Sequence, residues 1–152
     1  MRRSFSLLTA GLVWAVSGCT APVVVEPAPY AGDPGCAAVM LGIPDEVGGL
    51  ARHETSSQAT AAYGDEPRII VRCGVEVPGP SSERCLAIET PAAFADWLVL
   101  EEDDVWRAIA FGRNPAMEVV IPKIRADQAV GEILAAFSPS ATLADRTGLE
   151  CR

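Results

Sequence analysis

The sequence predicts an α+β domain of two layers, with four or five mostly antiparallel strands, one helix before them, one after, and two disulfides. Three observations predict this. Apolar residues recur at helical spacing near residue 36 and again near residue 130. Between residues 68 and 121 they instead alternate, or form short runs bounded by Gly, Pro and charged turns. Beyond the first twenty residues the chain also carries four cysteines, an even number.

Residues 1–18 read as an export signal. Arg2 and Arg3 supply a positive start, an apolar run from Leu7 to Val16 follows, and Ser17-Gly18 is a small-residue exit. The apolar run is shorter than the roughly 20 residues that a spanning helix needs. Val16-Ser17-Gly18-Cys19 has the form of a lipobox: an aliphatic residue, two small ones, then a thiol that becomes the new N-terminus. Cys19 is therefore the expected lipidation site, carrying diacylglycerol and then an N-acyl chain such as palmitate. Two acyl chains hold a protein stably to a bilayer where one does not. The expected location is the cell membrane, lipid-anchored, on its extracytoplasmic face.

Residues 19–33 then read as the lipidated Cys and a tether, because Pro22, Pro27 and Pro29 disfavour helix and favour extended geometry. Residues 34–152 are expected to form a single globular domain. Asp33-Pro34 is a helix start, and Cys36, Val39, Met40 and Ile43 share one face of the helix that follows. Pro44 ends it. Residues 45–56 read as loop, and Ser57 to Tyr63 as a short helix stopped by Gly64.

The strands come next. In Arg68–Val75, Ile69, Val71, Cys73 and Val75 share one face, with Arg68, Ile70 and Arg72 on the other. After the turn Pro78–Arg84, the remaining strands are expected at Cys85–Thr90, 95–101, 105–112 and Met117–Ile121. The acidic run Glu101-Glu102-Asp103-Asp104 is a hairpin tip and lacks the ligand spacing of a calcium loop. A final helix is expected from Ala126 to Phe137, with Val130, Ile133, Leu134 and Phe137 on one face.

Charge narrows the function classes. The chain has 12 basic and 20 acidic side chains, and removal of the signal takes Arg2 and Arg3, leaving ten against 20. A domain of net charge −10 is repelled by nucleic acid and by anionic headgroups, so no nucleic-acid partner is expected, and membrane association is left to the lipid. Eleven of the 12 basic residues are Arg, a bias that fits a GC-rich bacterial genome.

Cys36, Cys73, Cys85 and Cys151 allow three pairings. Cys73–Cys85 with Cys36–Cys151 is favoured. The first pair would clasp a Pro/Gly/Ser loop, and the second would tie the first helix to the chain end. Cys85 lies on the opposite parity from Leu86 and Ile88, which counts against the first pair unless Cys85 precedes its strand. No CxxC spacing is present and the single His, His53, is distant from every Cys, so neither a metal nor another cofactor is expected.

No catalytic residue is assigned. His53 is flanked by no nucleophile motif, and no Ser stands in GxSxG. Trp97 and Trp106, expected on neighbouring strands, read as a packed cross-strand pair or, if exposed beside Arg113, as a binding surface. Arg113, in the turn Gly112-Arg113-Asn114-Pro115, can hold a partner carboxylate or phosphate, or bridge to Glu118 or to a loop carbonyl within the domain.

The pattern resembles an actinobacterial family of secreted lipoproteins known as domain of unknown function thirty-five fifteen. The resemblance rests on Cys36, Ala62-Tyr63-Gly64-Asp65-Glu66-Pro67, Ile70-Val71-Arg72-Cys73-Gly74-Val75, Cys85, Trp97, Gly112-Arg113-Asn114-Pro115, Glu118-Val119, Ile121-Pro122 and Cys151. Tyr63 stands where Trp is usual in that family. The resemblance implies an exported, disulfide-bonded, membrane-tethered domain and transfers no catalytic residue. The reading is a non-enzymatic accessory lipoprotein that binds an envelope protein or cell-wall component. The alternative is a small cell-envelope hydrolase acting on cell-wall material, which requires a cleft pairing Asp96 or Glu89 with Glu118.

Overall fold

The computed structural model describes residues 21–126 and 130–152. The expected signal and the expected lipidation site Cys19 lie outside the described residues, as do residues 127–129 near the start of the expected final helix. In chain order the elements are α1 (Gly35–Leu41), β1 (Glu46–Val47), β2 (Leu50–His53), β3 (Thr60–Tyr63), β4 (Ile69–Val75), β5 (Cys85–Glu89) and β6 (Phe94–Glu101). They continue with β7 (Val105–Phe111), β8 (Arg113–Asn114), β9 (Ala116–Pro122), a 3-10 turn (Lys123–Arg125), α2 (Val130–Ala141) and β10 (Asp145–Arg146).

The α+β class stands, but the sheet is larger than four or five strands. Eight strands run in the order β1-β2-β3-β4-β9-β7-β6-β5, and a small ribbon pairs β10 with β8. Every pairing between named strands is antiparallel. The additional strands come from the stretch read as loop and short helix. Val47 pairs with Leu50 across Gly48-Gly49, both at positive φ, so this is a two-residue hairpin of the kind that Gly-Gly favours. Thr60–Tyr63 is not helical. It pairs along β4 from Thr60↔Arg72 to Tyr63↔Ile69, and ladder bonds with burial of Ala61, Ala62 and Tyr63 outweigh the helix preference of its alanines.

Both helices pack on one face of the sheet. Cys36, Val39 and Ile43 of and just beyond α1 join Ile133, Leu134, Phe137 and Ala141 of α2. Opposite them lie Tyr63, Val71, Cys73, Trp97, Met117, Val119 and Ile121 from the strands. Tyr63 meets Phe137 edge-on at 5.4 Å, and its hydroxyl donates to the Pro44 carbonyl at 2.7 Å. The α2 helix runs past its expected end at Phe137 and includes Pro139. Hydroxyls close this last stretch: Ser140 donates to the Phe137 carbonyl at 2.7 Å and Thr142 to that of Pro139 at 2.7 Å.

All four domain cysteines form disulfides, in pairings other than those favoured from the sequence: Cys36–Cys73 and Cys85–Cys151. The reason is strand parity. Cys73 faces the helices, so α1 can reach it, whereas Cys85 pairs with Leu98 on the opposite face. Cys85 is left for the chain end.

Residues 21–33, expected as a free tether, lie along the domain from Val23 onward. The Val23 N–H donates to the Glu54 carbonyl and its own carbonyl accepts from Ser56, while Tyr30 N–H donates to Gly74. Ser57 Oγ donates to the Val25 carbonyl at 2.6 Å, and Val25, Ala28 and Ala31 are buried. The segment is not extended throughout: Val23 bridges to Thr55, but residues 29–32 turn, with Ala31 N–H donating to the Ala28 carbonyl and Asp33 N–H to that of Tyr30.

Candidate functional site: the open face of the sheet

Directly paired residues in antiparallel strands share a face, so the register defines what the sheet presents away from its helices. One row runs His53–Ala62–Ile70–Val120–Arg107–Leu100 across six strands. The next runs Thr60–Arg72–Glu118–Ile109–Leu98–Cys85. Among the described residues both helices lie on the other side, and Ile70, Val120, Leu100 and Ile109 are left half-buried. Ala28 of the N-terminal segment packs with Val75, Ala116, Val77 and Ile109 and borders this face at one end.

A charged network occupies its centre. Glu118 is 3% exposed, and both of its carboxylate oxygens are bound. Arg72 Nε and Nη2 reach Oε1 at 2.8 and 2.6 Å, while Arg107 Nη1 reaches Oε2 at 2.5 Å. Arg107 also grips Glu102 through Nε at 2.6 Å and Nη2 at 3.2 Å. The hydrogen bond and charge of Arg107 hold the Glu102 carboxyl below its usual range, and those to Glu102 and Glu118 push the Arg107 guanidinium up. Two arginines balance two glutamates. The result is a charge-balanced, partly apolar surface that leaves a partner no uncompensated charge to desolvate.

The residues singled out in the sequence are dispersed. Trp97 is fully buried and donates its indole N–H to Ser138 Oγ at 3.1 Å, so it is core and not binding surface. It pairs across the hairpin with Ala110, and Trp106 pairs with Glu101, so the two indoles are not cross-strand partners. Trp106 is half-buried beside Lys123, whose ammonium lies 5.2 Å from the ring centroid. Arg113 turns inward and donates through Nη1 to the carbonyls of Thr142 at 3.2 Å and Ala144 at 3.1 Å, just past the end of α2. Burial and the neighbouring Arg146 lower the Arg113 pKa against the opposing pull of Asp96. Arg113 is thus a helix-end clamp on loop carbonyls, and the ion pair with Glu118 does not form.

The carboxylate pair that a hydrolase would need is not assembled. Glu118 is held by two arginines, Asp96 Oδ2 accepts the Cys151 N–H at 3.1 Å, and Glu89 is exposed at the end of β5. His53 borders a shallow cavity of about 210 Å³ together with Arg52, Glu54 and Met40. Among the described residues no three His, Cys, Asp or Glu side chains are grouped to hold a metal ion. No described helix is long and apolar enough to cross a membrane.

The motifs behind the resemblance have structural explanations. Gly74, at positive φ beside the irregularity in β4, lies where a Cβ would collide with the backbone of Tyr30. Gly112 is met as closely by the Leu149 carbonyl, and Pro115 packs against Gly35. Cys-Gly-Val and Gly-Arg-Asn-Pro are therefore the points where the N-terminal segment, α1, the end of α2 and the C-terminal tail are fastened to the sheet. No curated protein and no solved structure matches the chain. A family model does, described as a protein of unknown function (DUF3515), over residues 7–145, and the chain belongs to that family.

Proposed function

We propose that this chain is a secreted lipoprotein, anchored through Cys19 to the outer face of the cytoplasmic membrane. Its domain is an accessory module that binds an envelope protein or a cell-wall component without catalysing a reaction. The observation that carries the binding reading is the helix-free face of the sheet, where Ile70, Val120, Leu100 and Ile109 surround the Arg72–Glu118–Arg107–Glu102 network. Partly apolar surface around fixed, saturated polar groups is the make-up of a protein-binding patch. The export reading is supported by the lipobox sequence and by the two disulfides, which form and persist in oxidising compartments.

In-cell crosslinking tests the binding reading. A photoreactive side chain at Val120 is expected to capture a dominant partner, and Ile70→Glu on the same row is expected to abolish capture while leaving the fold intact. Equal capture from Val120 and from an exposed control position on the helix side, such as Leu41 of α1, would contradict it. The anchor is tested separately by incorporation of a palmitate analogue, which Cys19→Ala is expected to abolish.

A further inference from the structure

The way the N-terminal segment is fastened sets where the domain sits relative to the lipid. Among the described residues the first held by the domain is Val23, hydrogen-bonded at 2.8 Å to the Glu54 carbonyl and at 2.9 Å from the Ser56 N–H. From Cys19 to Val23 is only four residue steps, which fully extended span about 14 Å. The Pro-rich run contributes nothing further to the reach, because Val25, Ala28 and Ala31 are buried and Tyr30 is bonded to Gly74. Between the two gripped residues Val23 and Val25, Val24 stands out into solvent, 88% exposed.

We infer that the corner of the domain carrying Val23, Val24 and Thr55 is its membrane-facing surface, resting on the headgroups of the bilayer that holds the Cys19 lipid. This inference rests on the anchor reading above and deepens it. The acidic run Glu101–Asp104 lies away from that corner. Val23 bridges to Thr55, which bonds Thr60 at the end of β3, whereas Glu101–Asp104 turns between β6 and β7. Four strand spacings separate β3 from β6 in the sheet, about 19 Å. The offset along the strands adds more, since Thr60 shares a row with Arg72 while Glu101 lies with Trp106 at the other end. The four acids of that turn therefore stand more than two Debye lengths of about 8 Å from the anchored corner within the sheet. Glu26 and Glu54 are exposed at the corner itself. The leash, and not charge attraction, holds the contact.

The test uses the full lipidated chain in vesicles of phosphatidylcholine and phosphatidylglycerol carrying a nitroxide lipid quencher near the headgroups. Val24→Trp is expected to add emission that is mostly quenched, and Asp103→Trp to add emission that is not. A flexible spacer of about 20 residues between Thr20 and Ala21, with an end-to-end distance near 25 Å, is expected to abolish the Val24→Trp quenching. Protein that floats with the vesicles but leaves Val24→Trp unquenched, or quenches Asp103→Trp equally, would overturn the membrane-facing corner while leaving the anchor intact. A chain that takes up no palmitate analogue and does not float would overturn both.

Discussion

At the scale of single residues, Glu118 carries the most consequence. It is nearly fully buried on the helix-free face, and among the described residues its charge is matched by Arg72 and Arg107. Arg72→Ala strands a buried carboxylate oxygen and is expected to cost about 3 kcal/mol, read as a lower urea midpoint; Glu118→Gln, which keeps the shape, is expected to cost less. Trp97 and Trp106 are expected to separate cleanly. Trp97→Ala empties a core site and is expected to cost about 3–5 kcal/mol, whereas Trp106→Ala, at a half-buried position, is expected to cost well under half of that. Tyr63 gives an alkaline signature. Burial raises its phenol from 10.0 to about 12, so the neutral form is favoured in the fold. Its contribution to stability is complete below pH 10 and is lost as pH rises toward 12, and Tyr63→Phe is expected to flatten that loss in a pH series of melting temperatures. Glu102 behaves oppositely. Its lowered pKa gives a small contribution that is present above pH 4.5 and drains away as pH falls.

At the scale of elements, much was legible and the gaps have physical causes. The helix faces around Cys36 and Ile133 and the strands β4 to β7 and β9 follow directly from periodicity, because each buries one face on a common core, whereas β8 falls in the stretch read as a turn. The β1–β2 hairpin carried its signal in Gly48-Gly49 between Val47 and Leu50, a two-residue turn that reads as loop when its short strands are not weighed. β3 carried none, since an alanine-rich segment becomes a strand only when β4 offers an edge. The disulfide pairing was legible in part. Cys85 on the opposite parity from Leu86 already argued against Cys73, but only the fold shows α1 lying over Cys73. The open face was half legible: alternation puts Ile70 and Arg72 together, but which strand supplies Glu118 depends on the β4–β9–β7 order, a non-local choice. For Trp97 and Arg113 the sequence leaves packing and surface roles both open; in the fold Trp97 finds Ser138, and Arg113 the loop carbonyls at the end of α2. Two element-level outcomes follow. Gly74→Ala is expected to release the Tyr30 contact and make residues 21–33 protease-sensitive, since a Cβ there meets backbone that cannot yield. Under mild reductant, mass spectrometry after alkylation is expected to show Cys85 and Cys151 modified before Cys36 and Cys73, because the outer pair is partly exposed and the inner pair is buried. Loss of either loop closure is expected to cost about 4 kcal/mol in the chain-entropy model.

At the scale of the whole molecule, the fold divides its labour between two faces. One side of an eight-stranded sheet is closed by two helices and a buried disulfide. The other is stiffened by the same strands and, among the described residues, carries no helix, so its side chains are positioned by a rigid support, as an interaction surface requires. Around the rim, the N-terminal segment and the C-terminal tail are pinned at Gly74 and Gly112. Under the anchored reading, this places the platform a short fixed distance above the membrane, where a partner on the same surface meets it at high effective concentration. The measurement that tests this most directly is photo-crosslinking from Val120 in the lipidated protein in its own cells. The account predicts one dominant captured partner that disappears in Ile70→Glu and persists in Trp106→Ala. Capture indistinguishable from that at Leu41 on the helix side, or unchanged by Ile70→Glu, would contradict it.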